Sequence, residues 1–247
     1  MVENNTCLLT GGAEGLGAEI TKYLREKIQV VVLDKVLPPK PQEGVFYFSC
    51  DVCDPDSLEK IKKEVYSKVD KISLLIHNVG LFSEKNFHET TYQEWQKILQ
   101  TNLTPSFLIT KTFYEILAPS ACIVSLSSGL SFMAEPNAIA YSTAKAGLNM
   151  FIKCLSLELA PKRVIGIAPG PVQLGEDEKC PLKEKYDYRL FNPMKRFATG
   201  EEIAKMIWFV YQEAPYLTGT ILSLDGGESA LGASWSILKK IADSGKI

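Results

Sequence analysis

The feature that most constrains this chain is a series of short runs that are apolar almost throughout, not merely on alternate positions. Thr6–Thr10, Ile28–Leu33, Ile72–Ile76, Ala121–Leu126 and Arg163–Ala168 are such runs. A strand with one wet face alternates apolar and polar residues, whereas a strand covered on both faces reads as a continuous run. Val45–Phe48 and Thr220–Leu224 have the length and composition of two further strands. Between the runs lie stretches with helical apolar spacing, at 57–69, 91–117, 141–159 and 201–211. Strands alternating with helices predict one doubly wound, seven-stranded parallel sheet with helices on both faces. No internal repeat or composition shift divides the chain, so residues 1–247 are expected to form one domain.

The bulk properties exclude several function classes. The 27 basic residues nearly balance the 29 acidic ones, which gives no sign of a nucleic-acid partner. No apolar run approaches the roughly 20 residues that span a bilayer. Met1–Asn5 lacks the basic and apolar regions of a secretion signal. The six cysteines are scattered, and several lie in apolar runs, as expected of a reduced, cytoplasmic protein. Cys50 and Cys53 have the spacing of a redox or zinc pair, but no second pair accompanies them and the chain has only two histidines. No metal site is expected.

Open parallel sheets bind ligands at the carboxyl ends of their strands, so the residues that end each run matter most. The first strand breaks into Gly11-Gly12-Ala13-Glu14-Gly15-Leu16-Gly17 before a helix. Glycines there let backbone approach a pyrophosphate, and the helix N-terminus offers N–H donors. The second run ends in Asp34, about 20 residues further on, where a carboxylate can accept from both hydroxyls of an adenosine ribose and repel a 2′-phosphate. Lys35 offsets that repulsion only in part. NAD(H) is therefore expected over NADP(H). Asp51 and Val52 at the third strand end can meet an adenine ring, and Asn78-Val79-Gly80 follows the fourth. Asn102 and Pro105 interrupt the helical stretch that follows. Proline removes a backbone donor, so an asparagine there can reach a freed carbonyl or a water. Ser128 follows the fifth strand.

Tyr141 and Lys145 stand four apart and share a helix face. A free tyrosine, with a pKa of about 10, is a poor base at neutral pH. An ammonium group fixed beside it is expected to favour the phenolate and lower that pKa, making the pair a proton donor and acceptor. The long connection 173–198, rich in charges and aromatics, is expected to act as a lid. The tail 228–247 contains a possible short helix over 235–242.

With these residues in hand, the chain resembles the short-chain dehydrogenase/reductases of about 250 residues, whose sheet is Rossmann-like. The resemblance covers residues 6 to about 227. It rests on Thr10-Gly11-x-x-x-Gly15-x-Gly17, Asp51, Asn78-Val79-Gly80, Asn102, Ser128, Tyr141-x-x-x-Lys145, Pro169-Gly170 and Asp225-Gly226-Gly227, all in the family's order. It implies hydride transfer between a nicotinamide and a secondary alcohol or ketone. Tyr141 would be the acid/base, Lys145 would tune it and hold the nicotinamide ribose, Ser128 would bind the substrate oxygen, and Asn102 would hold a water in a proton relay. Gly11, Gly15, Leu16 and Gly17 would pack on the pyrophosphate, Asp51 and Val52 on the adenine, and Asn78, Val79 and Gly80 on the adenosine side. Pro169, Gly170 and Val172 would line the nicotinamide end. The resemblance also implies a small-molecule substrate and a homo-oligomer, dimeric or tetrameric.

Three positions depart from the family pattern. His77 replaces an asparagine, and is expected to be a structural substitution. Pro171 and Leu174 stand where an apolar residue and a threonine are usual, which bears on cofactor affinity. The layout is equally similar to 3-oxoacyl-carrier-protein reductases and to alcohol and sugar dehydrogenases. Two alternatives remain: a pteridine-reductase-like enzyme, and a dinucleotide-binding sensor that has lost catalysis.

Overall fold

The computed structural model describes residues 5–174, 192–231, 240, 241, 243 and 244. Seven parallel strands run in the order β3-β2-β1-β4-β5-β6-β9. They are β1 (Thr6–Thr10), β2 (Gln29–Asp34), β3 (Val45–Ser49), β4 (Ile72–His77), β5 (Leu117–Leu126), β6 (Arg163–Pro169) and β9 (Ile221–Leu224). The helices are α1 (Gly15–Leu24), α2 (Pro55–Lys68), α3 (Tyr92–Asn102), α4 (Thr104–Phe113), α5 (Ile139–Glu158) and α6 (Gly200–Gln212). The expected doubly wound sheet is thus the observed one. A two-residue ladder between β7 (Val172–Gln173) and β8 (Ala198–Thr199) was not foreseen; it ties together the two ends of the connection expected to form a lid. The body of that connection, including Glu176, Asp177, Tyr186, Tyr188 and Phe191, lies outside the described residues. So does most of the tail helix expected over 235–242.

The continuous apolar runs have the meaning that two covered faces give them. Side chains alternate across a strand. Leu8, Val31, Leu33, Leu75 and Ile123 enter the core shared with α2, α4 and α5. Their neighbours Cys7, Leu9, Val30, Val32, Leu74, Ile76, Cys122 and Val124 enter the opposite core, with α1 and α6. Each buried Leu or Ile contributes about 1.5–3 kcal/mol, and a polar residue at any of these positions would face one core or the other.

Two polar side chains, His77 and Arg163, tie elements of this frame together. His77 lies buried between Ser125 Oγ, 2.9 Å from Nδ1, and Thr110 Oγ1, 3.3 Å from Nε2. The Thr110 hydroxyl hydrogen goes to Ser106 O. Nε2 must therefore carry the ring proton and donate, and Nδ1 must accept from Ser125. Burial pushes the imidazole down to about 3, so it stays neutral. As expected, His77 is structural: it joins β4 to β5 and α4. Arg163, at the start of β6, caps α6. Its guanidinium donates to Val210 O, Tyr211 O and Ala214 O at 2.7, 2.8 and 3.1 Å. A cation at a helix C-terminus meets both the free carbonyls and the negative end of the dipole.

Removing that fork leaves carbonyls unpaired. Arg163→Ala is expected to cost about 2 kcal/mol, read as a lower urea midpoint with unchanged slope. Arg163→Lys should restore less than half of the loss, because an ammonium cannot reach three carbonyls as a planar fork does.

Candidate active site

The strand order reverses between β1 and β4, so the loops after these strands part and open a crevice at their carboxyl ends. On one wall the glycine turn leads into α1. A Cβ on Gly17 would lie 1.7 Å from Gly11 O, so only glycine lets α1 approach β1 this closely. Gly11 and Gly15 have φ of +68° and +51°, which also favours glycine. Asn78, after β4, clamps the turn from the other side. Its Nδ2 donates to Thr10 O (3.2 Å) and Gly11 O (2.7 Å), while its own N–H donates to Thr10 Oγ1 (3.1 Å). The Asn78 side chain therefore shapes the turn, a role beyond the lining one foreseen for it.

This wall fits a dinucleotide. No side chain caps α1, and its first turn holds no acid, so its leading N–H groups face the crevice free of a competing carboxylate. Asp34 is pinned beside the turn, accepting from Ala13 N (3.0 Å) and Val36 N (3.3 Å). Each carboxylate oxygen keeps lone pairs for ribose hydroxyls. Lys35 Nζ lies 2.9 Å from Asp51 Oδ2, and Asp51 Oδ1 accepts from Cys53 N. Burial pushes the Asp51 carboxyl up, but these two partners outweigh it and leave the group below its usual range. Val52 is buried beside it. Leu174 lies over the turn, its Cδ1 3.6 Å from where a Gly15 Cβ would stand.

The other wall carries Ser128, Tyr141 and Lys145. Tyr141 and Lys145 sit in the first half of α5, as expected. Lys145 is buried, and its Nζ donates to Leu126 O at 2.8 Å. Burial pushes its amine down to about 8. Nζ stands 5.7 Å from the centre of the Tyr141 ring. The expectation that the lysine would lower the tyrosine pKa needs correction. Burial raises the Tyr141 pKa, and the force pulling it back is a hydrogen bond with Ser128. Burial shifts each of the two groups toward its neutral form. Phe82 packs edge-on against the Tyr141 ring at 5.1 Å between centres.

The predicted helix break is present: α3 ends at Asn102, and α4 begins with Pro105 in its first turn. The Asn102 side chain is buried and fully engaged. Nδ2 donates to Leu81 O and Ile98 O, each at 2.9 Å, and Oδ1 accepts from Leu81 N at 3.0 Å. The N–H that would close on Asn102 O in a continuous helix, that of Ser106, goes to Leu103 O instead. The group this break releases is thus the backbone carbonyl of Asn102. A Cβ on Gly80 would stand 3.2 Å from Asn102 Oδ1 and 3.6 Å from Lys145 Nζ, so α3, α5 and the β4 loop meet at this point.

Pro169 ends β6, and Gly170 and Val172 follow it at the same end of the sheet. Gly170 packs against Asp225, and Val172 pairs with Ala198. Asp225 accepts from Gly227 N and Ser229 N, both at 3.0 Å, and so holds the turn after β9. A hollow of about 440 Å³ between this region and α6 is lined by Pro171, Met194, Met206, Phe209 and Leu224 among others, but not by Ser128, Tyr141 or Lys145. It is separate from the crevice. Among the described residues no group of side chains could hold a metal ion, and no helix is long and apolar enough to cross a membrane.

Sequence reasoning missed Asn149, Ser127 and Ser131. These join α5 to the loop bearing Ser128 through bonds of 2.6 and 2.8 Å. The available signal was spacing: Asn149 follows Lys145 by the same interval that separates Lys145 from Tyr141.

Comparison with known proteins identifies the family. A family model described as enoyl-(acyl carrier protein) reductase matches residues 12–229. The 3-oxoacyl-[acyl-carrier-protein] reductase FabG of Buchnera aphidicola subsp. Schizaphis graminum is 31% identical over 238 residues, covering 92% of this chain and 98% of the relative. Glucose 1-dehydrogenase 2 of Bacillus subtilis is 28% identical over 241 residues, covering 90% and 93%. Among solved structures, the aldohexose dehydrogenase of Thermoplasma acidophilum superposes with a TM-score of 0.84 at 25% identity, covering 92% of this chain and 94% of that one. The chain belongs to the short-chain dehydrogenase/reductase family, oxidoreductases that act on CH–OH groups with a nicotinamide cofactor.

Proposed function

We propose that the protein is an NAD(H)-dependent oxidoreductase that interconverts a secondary alcohol and a ketone, with 3-oxoacyl compounds as the first substrate class. The observation that carries the reading is the convergence of Ser128, Tyr141, Lys145 and the Asn102 turn at one point of the crevice. When bound, the nicotinamide supplies or accepts the hydride. The Ser128 and Tyr141 hydroxyls together hold the substrate oxygen, and the Tyr141 phenol gives that oxygen a proton in reduction and takes it back in oxidation. Lys145 spends one hydrogen on Leu126 O and keeps two donors for a ribose hydroxyl and a water. The released carbonyl of Asn102 holds that water, which carries the proton to solvent. A retained and connected set of this kind argues against a sensor that has lost catalysis.

The substrate class rests on the rim. Phe82 and Phe132 are each 53% exposed, and Leu81 is 36% exposed; they offer apolar surface to an acyl chain and little hydrogen bonding to a polyol. The FabG relatives support the same order of preference. A sugar or simple alcohol remains the second reading, supported by the glucose and aldohexose dehydrogenases. NADH is favoured because Asp34 stands beside the glycine turn while Lys35 is engaged by Asp51. A homo-oligomer is supported by the exposed Phe107 of α4, by Tyr114 just after it, and by Met150 and Leu157 of α5. Met150 and Leu157 stand seven residues apart, on one stripe of their helix.

Three measurements check these readings. In a panel of 3-oxoacyl thioesters, sugars and secondary alcohols, Tyr141→Phe should lower turnover about 10³-fold and leave NADH binding, followed by fluorescence, within about threefold. Turnover retained in that variant would remove Tyr141 as the acid/base. The unmodified enzyme should prefer NADH to NADPH by at least about tenfold in kcat/KM, or about 1.4 kcal/mol, and Asp34→Ala should narrow the ratio. Tighter NADPH binding to the unmodified enzyme would overturn the role of Asp34. In sedimentation velocity, Met150→Asp combined with Leu157→Asp should shift the protein to a smaller species.

A further inference from the structure

We infer that Asn149 is the positioning residue that fixes the Ser128 hydroxyl against Tyr141. The inference rests on the proposed role of Ser128 at the substrate oxygen.

Three residues spaced four apart on α5 each hold a different point of the segment 126–131. Tyr141 lies near enough to the Ser128 side chain for that hydroxyl to lower its pKa. Lys145 Nζ holds Leu126 O. Asn149 reaches both sides of Ser128 at once: its Oδ1 accepts from Ser127 Oγ at 2.6 Å, and its Nδ2 donates to Ser131 Oγ at 2.8 Å. Ser131 Oγ in turn donates to Ser128 O at 2.6 Å. The peptide of Ser128 is therefore gripped from the residue before it and through its own carbonyl. Its hydroxyl is aimed by one further bond, from Leu130 N at 3.2 Å.

The chemistry of the bracket calls for an amide. Ser127 gives its only hydroxyl hydrogen to Asn149, so position 149 must accept. Ser131 gives its only hydroxyl hydrogen to Ser128 O, so position 149 must also donate. A carboxylate meets the first demand and fails the second. An apolar side chain of similar volume fails both and leaves two hydroxyls without their partner, of which Ser127 is buried. Ser128 itself sits in extended backbone at the start of a single 3₁₀ turn (Gly129–Ser131). Such a short turn has few bonds of its own to hold a side chain within the tolerance that catalysis needs.

The test is a double-mutant cycle between Asn149→Ala and Ser128→Ala, assayed by NADH-dependent reduction of acetoacetyl-coenzyme A, with Asn149→Asp and Ser131→Ala as milder variants. Asn149→Ala is expected to lower kcat about 10- to 100-fold with KM within about threefold and NADH affinity unchanged. In the Ser128→Ala background it should have almost no further effect, because its action passes through Ser128. The alkaline limb of the pH–rate profile should move upward in Asn149→Ala and Ser131→Ala, since the Ser128 hydrogen bond is what holds the buried tyrosine down. A crystal structure of Asn149→Ala, or of Ser131→Ala should the alanine variant not fold, should show the Ser128 hydroxyl displaced from Tyr141. An unshifted Ser128 in that structure, or additive losses in the cycle, would overturn the inference. Ser128→Ala with undiminished turnover would instead overturn the proposed role of Ser128.

Discussion

The active site depends on one buried cation with one protein acceptor. Lys145 lies in the interior with Leu126 O as its hydrogen-bond partner among the described residues. Burying an ammonium group without full compensation is costly, and the group answers by giving up its proton more readily, down to about 8. A chain selected for stability alone would place leucine there. Two unspent donors facing a crevice make sense where a ligand completes them, and strongly shifted groups gather at such places. The rest of the site surrounds this charge: Gly80 has no side chain where one would press on Asn102 Oδ1, and α3 breaks beside it.

The sheet sets where such a charge can stand. Because the order reverses between β1 and β4, the two loops diverge and leave backbone groups accessible that would otherwise be paired. Only close packing keeps that opening in shape. Gly17 allows α1 to approach within reach of Gly11 O, and Asn78 binds the same carbonyl from β4. A single side chain thus transmits the position of the central strand to the glycine turn. Tyr141, Lys145 and Asn149 do the same from α5 to the end of β5.

Much of this was legible in the residues. The continuous apolar runs predicted both covered faces of the sheet, and alternation with helices predicted that its strands run parallel. Pro105 announced the break after Asn102, and the glycine turn announced the approach of α1 to β1. Other features left no such mark. The β7–β8 ladder has two residues on each side, too few to show a period. Arg163 opens a strand, where a basic residue looks like a solvated end, yet its partners lie at the end of a helix about fifty residues later. Asn149 reads as the polar face of an amphipathic helix, because a buried amide and an exposed one have the same letter. The direction of the Tyr141 shift was misjudged for a related reason. Spacing gives the neighbour at 145 but not the depth of burial, and here burial outweighs the lowering by Ser128.

The proposed preference for NADH would rest on a pair of charges as well as on single residues. Asp34 alone disfavours a 2′-phosphate, while a free lysine at position 35 would welcome one. The structure does not leave that lysine free: Nζ meets Asp51 at 2.9 Å, on the strand beside it. The pair is well exposed, so its contribution to stability is small. Its effect on recognition is larger in kind, because Asp51 withdraws a cation from the region that a 2′-phosphate would occupy while keeping oxygen lone pairs for an adenine amino group. Two carboxylates and one engaged ammonium leave the net charge there negative. The field at that end of the crevice therefore opposes an additional phosphate before any contact is made.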